Sequence, residues 1–165
     1  VGPSSVSRRT ALGVALAVGV AGCGRTEWYP SDVTPEEYVL RAMIREKERT
    51  VARYEAALAD GAGPEELLTR ILEHHLSHID ALTEALPESP AAGDPQTPLA
   101  EIPAPDAVLD TAELSALESA AASARVDRAL AVADPGLAQL ISGIGACEAG
   151  HAHLLDRADG EDGRG

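Results

Sequence analysis

Two short runs of this sequence carry the residue types best suited to chemistry: Glu73-His74-His75-Leu76-Ser77-His78 and Cys147-Glu148-Ala149-Gly150-His151. Imidazoles and carboxylates three or four residues apart lie on one face of a helix, where together they can grip a cation or pass a proton. A rotation of about 100° per residue sorts the members of each run. In the first, Leu68, Ile71, Leu72, Ile79, Leu82 and Leu86 form an apolar stripe that includes His75 and His78, leaves His74 at its margin and turns Glu73 to the opposite side. In the second, Glu148 and His151 fall in the middle of the stripe of Leu137, Leu140, Ile141, Ile144 and Leu155. A buried carboxylate needs a partner, and a cation is the natural one. His153 points away from this pair, and Cys147 reads as a small buried hydrophobe beside the motif.

Two further segments offer carboxylates. Taking Val51, Ile44 and Leu58 as the inner face of the first helix, Glu48 and Glu55 lie near that face and Glu46 points away. Glu48, close to the middle of its helix, is the better ligand candidate. Farther on, Glu118 shares a face with Leu114, Ala121 and Ala122, and Arg125 lies on that face too. An inward Arg125 would neutralise the carboxylates without any metal.

The elements that must position these groups are helices. Thr34-Pro35-Glu36-Glu37 supplies a capping hydroxyl, a first-turn proline and acids, opening a helix that runs to about Asp60. Gly61 and Gly63 end it, and Pro64-Glu65-Glu66 opens a second helix reaching about Leu86. Six prolines between Pro87 and Pro105 rule out a continuous helix there. A third helix is expected over Thr111 to Ala133 with Thr111 as its cap, and a tight Asp134-Pro135-Gly136 turn leads into a fourth ending near Arg157. Residues 159–165 read as a disordered tail. The expected fold is all-α: a four-helix bundle over 35–158 with one long crossover, 87–110, between its second and third helices. A connection of that length can return along the bundle and make those two helices parallel, the topology of ferritin-like bundles.

In ferritin-like dimetal centres, one Glu from each of two helices joins a Glu-x-x-His from each of the other two. This chain offers Glu48, Glu118 and the pair Glu148 and His151, but His75-x-x-His78 where the other Glu-x-x-His would stand. Three carboxylates and three histidines remain chemically sufficient for Fe, Mn or Zn.

The segments Glu48 to Ala56, His75 to Leu82 and Ser142 to Leu155 resemble the ferritin-like domain of actinobacterial exported proteins, a likeness that covers most of residues 36–157. The resemblance implies a compact four-helix bundle with a di-iron relic. Twelve arginines against one lysine, with abundant Ala, Gly and Pro, agree with a GC-rich genome.

The N-terminal segment carries a different message. Arg8 and Arg9 precede an uncharged apolar stretch, Ala11 to Val20, and then Ala21-Gly22-Cys23. A basic region, a short apolar core and a small-residue cleavage zone make a secretory signal, here residues 1–22, and the apolar stretch is about half of the ~20 residues a spanning helix needs. Val20-Ala21-Gly22-Cys23 resembles the bacterial lipobox, which implies acylation of Cys23 and a lipid anchor at the outer face of the cytoplasmic membrane. Ser7-Arg8-Arg9 resembles the twin-arginine signal, which favours the Tat route over general secretion. Residues 23–34, with Trp28, Tyr29 and Pro30, would form a tether.

Cleavage would remove Arg8 and Arg9 and no acid, leaving 11 basic and 27 acidic residues in 143, net −16. Such a surface repels nucleic acid. Cys147 is left without a disulfide partner in the chain, and no nucleotide loop or serine-histidine-acid order is present. The expected partners are membrane lipid and no nucleic acid, with a homodimer left open. Two readings of the bundle stand side by side. One is an Fe or Mn dimetal centre on Glu48, His75, His78, Glu118, Glu148 and His151, able to support oxidase or peroxidase-like chemistry or a metal-carrier role. The other is a metal-free bundle, acting as an envelope scaffold, whose polar residues bond one another.

Overall fold

The computed structural model describes residues 33–87 and 102–162, the last two by their backbone alone. The expected signal, Cys23, most of the tether, the middle of the crossover and residues 163–165 lie outside the described residues. Four helices make up the fold: α1 (Pro35–Asp60), α2 (Glu65–Glu84), α3 (Thr111–Ala131) and α4 (Pro135–Asp162). Among the described residues there is no strand, and no helix is long and apolar enough to cross a membrane.

Local chemistry sets the helix ends. The Thr34 hydroxyl accepts the amide of Glu37, and Gly61 closes α1 at φ 70°, a left-handed turn open to a residue without a Cβ. The cap of α3 is Asp110, one residue before the expected Thr111. Its carboxylate takes the Glu113 amide while the Glu113 side chain returns to the Asp110 amide. Thr111 thereby becomes the first helical residue, and its hydroxyl donates to the Ala62 carbonyl. Asp134 caps α4 through the Leu137 amide. Beyond Arg157, α4 continues to Asp162, so residues 159–162 belong to the helix and not to the expected tail. No proline stops it there, and a single interior glycine costs only about 1 kcal/mol.

Two apolar clusters define the topology. Leu40 and Met43 of α1, Leu82 of α2 and Leu137, Ile141 and Ile144 of α4 fill one end. Tyr54 and Ala57 of α1, Leu68 and Ile71 of α2, Leu114 of α3 and Leu155 of α4 fill the other. The starts of α2 and α3 lie at this second end, so these two helices are parallel, as the long crossover requires. The fold is the all-α four-helix bundle that the sequence implies. Between the two clusters runs a layer of buried polar side chains.

Candidate functional site

Every helix contributes to that middle layer. Lys47 and Tyr54 enter from α1, His75 from α2, Glu118 and Arg125 from α3, Glu148 and His151 from α4, and each is no more than 3 % exposed. Burying this many polar groups is tolerable only when each finds a partner.

The partners form a chain. Glu148 lies against Arg125, which donates from Nη2 to Oε1 at 2.8 Å and from Nε to Oε2 at 3.0 Å. Lys47 Nζ reaches the same Glu148 Oε1 at 2.5 Å and donates to His75 Nδ1 at 2.9 Å. His75 Nε2 donates to Glu118 Oε1 at 2.8 Å, and the Tyr54 hydroxyl donates to that oxygen at 2.9 Å. His151 Nδ1 lies 3.3 Å from Glu118 Oε2. At the rim, Glu46 accepts from Arg125 and Arg128, both at 2.7 Å.

Protonation states follow from these contacts. Burial pushes His75 below its ordinary value despite the pull of Glu118, so its ring is neutral. A neutral ring that accepts from Lys47 at Nδ1 must carry its proton on Nε2, where it donates to Glu118. Burial would raise Glu118, but the hydrogen bonds from His151 and His75 outweigh it and hold the carboxyl well below the usual carboxylate range. Tyr54 is driven the other way by burial and by the Glu118 charge, and remains an O–H donor. With Glu118 an acceptor, His151 presents Nδ1–H to it and turns Nε2 outward.

That nitrogen faces a second group. His74 Nδ1 stands 2.9 Å from His151 Nε2, and Cys147 Sγ stands 3.3 Å from it. The rings of His74 and His151 are stacked, with centroids 5.2 Å apart. Two sets of ligand atoms thus lie within 4.8 Å of one another, His75 with Glu118 and His151, and His74 with Cys147 and His151.

Of the six expected ligands, the hydrogen-bonded chain brings together His75, Glu118, Glu148 and His151. His78 stands beside them, its ring 6.0 Å from that of His75 and 6.5 Å from that of His151, with Nδ1 buried and without a hydrogen-bond partner. Glu48 is half-buried, and no hydrogen bond links it to the cluster among the described residues. The reason is helix phase. The buried residues of α1 are Leu40, Met43, Lys47, Thr50, Tyr54 and Ala57, together with Glu37 at its start. At 100° per residue the centre of that stripe lies roughly 70° from Val51, on the side away from Glu48. The same rotation brings in Glu46, which was expected to point away, and makes Lys47 the interior residue that the sequence reading missed. The i, i+3/i+4 run from Leu40 to Ala57 was the signal that could have found it.

Lys47 and Arg125 decide how the layer suits a pair of metals. Two carboxylates, Glu118 and Glu148, are fully buried, and two buried protein cations, both seated on Glu148, match them in number of charges. Two divalent ions would add charge with no carboxylate left to balance it, at an effective cost of several kcal/mol per buried ion. The lone pair of His75 Nδ1 is also taken, and its Nε2 carries a proton. The donor set does not fit a dimetal centre.

A family model described as a ferritin-like domain matches residues 37–161 of the chain. Neither the curated proteins nor the solved structures contain a match.

Proposed function

Since the chain belongs to the ferritin-like domain family, we propose that it is an exported ferritin-like bundle, held at the outer face of the cytoplasmic membrane by acylated Cys23, whose interior is a closed ionic network and not a two-metal oxidase centre. The observation that carries the interior reading is the double engagement of Glu148 by Lys47 and Arg125. In the position where the fold calls for a cationic counterpart to inward carboxylates, the protein supplies its own cations. The bundle then works as a binding or scaffold module of the cell envelope. Its membrane attachment is supported by the lipobox-like Val20 to Cys23, placed directly after an apolar stretch too short to span. An acyl anchor with two or more chains gives stable attachment where one does not, at ~0.8 kcal/mol per buried methylene.

Two measurements test the reading. Mass spectrometry of the mature protein from producing cells is expected to find Cys23 as a lipidated N-terminal residue, and Cys23→Ala is expected to release the protein from the membrane fraction. A free, unmodified Cys23 within an uncleaved chain would overturn the anchor. For the interior, Fe(II) or Mn(II) offered to the full chain is expected to leave no bound pair after gel filtration. Retention of two ions per chain, abolished by Glu148→Ala, would overturn the closed network.

A further inference from the structure

We propose that His74, Cys147 and His151 form a binding site for a single borderline divalent transition ion of the Zn(II) class, on the flank of the bundle between α2 and α4, where His151 joins the edge of the ionic interior. Three observations converge on it.

The first is spacing. Zn(II) binds imidazole nitrogen at about 2.0–2.1 Å and thiolate at about 2.3 Å, so a tetrahedral site places two nitrogens about 3.3 Å apart and a nitrogen and a sulfur about 3.6 Å apart. Here the two ring nitrogens stand 2.9 Å apart, and Cys147 Sγ lies 3.3 Å from His151 Nε2 and 4.0 Å from His74 Nδ1. An ion could enter with shifts of about 0.4 Å in each separation. The exposed member, His74, can turn its ring without disturbing the core.

The second is orientation from behind. A metal-binding histidine commonly donates its other N–H to a carboxylate, which fixes the tautomer and raises the basicity of the ligating nitrogen. Glu118 occupies that position behind His151, and is itself held by Tyr54 and His75. The Lys47 contact that withdraws His75 from metal binding has no counterpart at His151 Nε2, whose neighbours are a thiol and a second imidazole.

The third is donor type and access. Two imidazoles and a thiolate favour Zn(II), Co(II) or copper over the oxygen-seeking Mg(II), Ca(II) and Mn(II). His74 is exposed, Cys147 half-buried and His151 buried, so an ion reaches the site from solvent and keeps a solvent-facing fourth position. On binding, the Cys147 S–H bond breaks, an S–metal bond forms and the proton leaves to water. The sulfur then offsets one of the two positive charges at the surface, where the remainder is solvated.

Titration of the full chain in detergent with Co(II) tests the site. We expect one ion per chain, a thiolate-to-Co(II) charge-transfer band, tetrahedral ligand-field absorption, and displacement by Zn(II) but not by Mg(II). Cys147→Ser should abolish the charge-transfer band, and His74→Ala should lose most of the affinity; neither residue is part of the ionic interior. Glu118→Gln, acting through His151, should weaken Co(II) by about 10- to 100-fold at unchanged helical circular dichroism. The absence of a charge-transfer band in the wild-type chain, or its survival in Cys147→Ser, would overturn the proposal. The same titration on Cys23→Ala should match wild type, so that failure of the lipid anchor and failure of this site are read separately.

Discussion

Glu148 and His151 stand one helical turn apart on α4, yet their surroundings are opposite in kind. Glu148 is enclosed by a lysine and an arginine, both buried, with a second carboxylate, Glu46, beyond them at the rim. His151 turns one nitrogen to a carboxylate and the other to a thiol and an exposed imidazole. A single Glu-x-x-His pair is therefore split between two tasks. The glutamate holds charge inside the bundle, where removing any partner leaves an uncompensated ion, and the histidine faces a flank where an ion can arrive from water. The difference teaches that a ligand-like spacing does not settle what is bound; the charge of the groups behind each side chain does.

The sharpest way to break the comparison is to remove the glutamate. Glu148→Ala leaves the Lys47 and Arg125 cations facing each other without a carboxylate between them. Denaturant unfolding should show a loss of about 3–5 kcal/mol, a large part of the 5–15 kcal/mol typical of a domain. A loss of under about 1 kcal/mol, the range of exposed ion pairs, would mean that water reaches this network.

A smaller loss is expected from the backbone contact that lets Arg125 reach its partner. A Cβ at Gly145 would stand 2.7 Å from Arg125 Cβ and 3.1 Å from its Cγ, so α3 and α4 pack this closely only because residue 145 lacks one. Gly145→Ala should cost about 1–3 kcal/mol, as overpacking does. Combined with Glu148→Ala it should cost less than the sum of the two, because both act on the placement of Arg125. Strict additivity would argue against that shared cause.

Tyr54→Phe probes the joint between the two regions. Its hydroxyl is one of two donors to Glu118 Oε1, and a hydrogen bond to a charged group contributes about 1.5–3 kcal/mol. With His75 still donating, the loss should fall at the low end of that range. The usual carboxylate titration should not reappear, because the histidines continue to hold Glu118 down.

Acid acts on the same joint. Burial lowers His78 to about 3, with Lys47 and the neighbouring histidines adding to the shift, and burial lowers His75 as well. Below the unfolded histidine value of 6.5, the unfolded chain takes up protons that the folded one refuses, so stability falls as pH drops from there towards 3. Glu118 acts in the same direction at lower pH. Its contribution is complete above the unfolded carboxylate value of 4.5 and is lost as pH falls through its depressed folded value. His78→Gln should flatten the upper part of this acid limb by a few degrees of Tm without removing it, since His75 remains. An unchanged slope between pH 6.5 and 4.5 would show that His78 is protonated in the folded bundle.

Much of this organisation was legible in the sequence. The first helix carried its cap and proline, the crossover its prolines, and the stripes of the second and fourth helices placed His75, Glu148 and His151 inside, while the cap of the third lay at Asp110, one residue before Thr111. Arg125 showed itself as the residue able to neutralise a carboxylate by sharing a face with Glu118. The first helix misled because Ile44, Val51 and Leu58 form a plausible stripe of their own, half-buried at its edge, while the true inner face carries a lysine and a threonine. Hydrophobicity alone cannot phase a helix whose buried face includes ions. Cys147, which reads as a buried hydrophobe, and His74, at the margin of its stripe, stayed outside the expected ligand set for a related reason. They lie on helices remote in sequence, and only the packing of α2 against α4, with Glu118 behind His151, brings their ligand atoms together.

The weakest expected effect on folding sharpens the comparison most. In metal-free buffer, Cys147→Ser and His74→Ala should each leave stability within about 0.5 kcal/mol of wild type, since one residue is half-buried, the other exposed, and neither carries the charge balance of the interior. Added Zn(II) should then separate the chains. It should raise the Tm of wild type by mass action, because an ion bound only by the folded state stabilises it in proportion to RT ln(1 + [L]/Kd). The two variants should lose that response, while Tyr54→Phe, destabilised but with its flank ligands intact, should retain it. A Zn(II) response that followed Glu148→Ala instead of Cys147→Ser would reverse the assignment and return the metal to the interior.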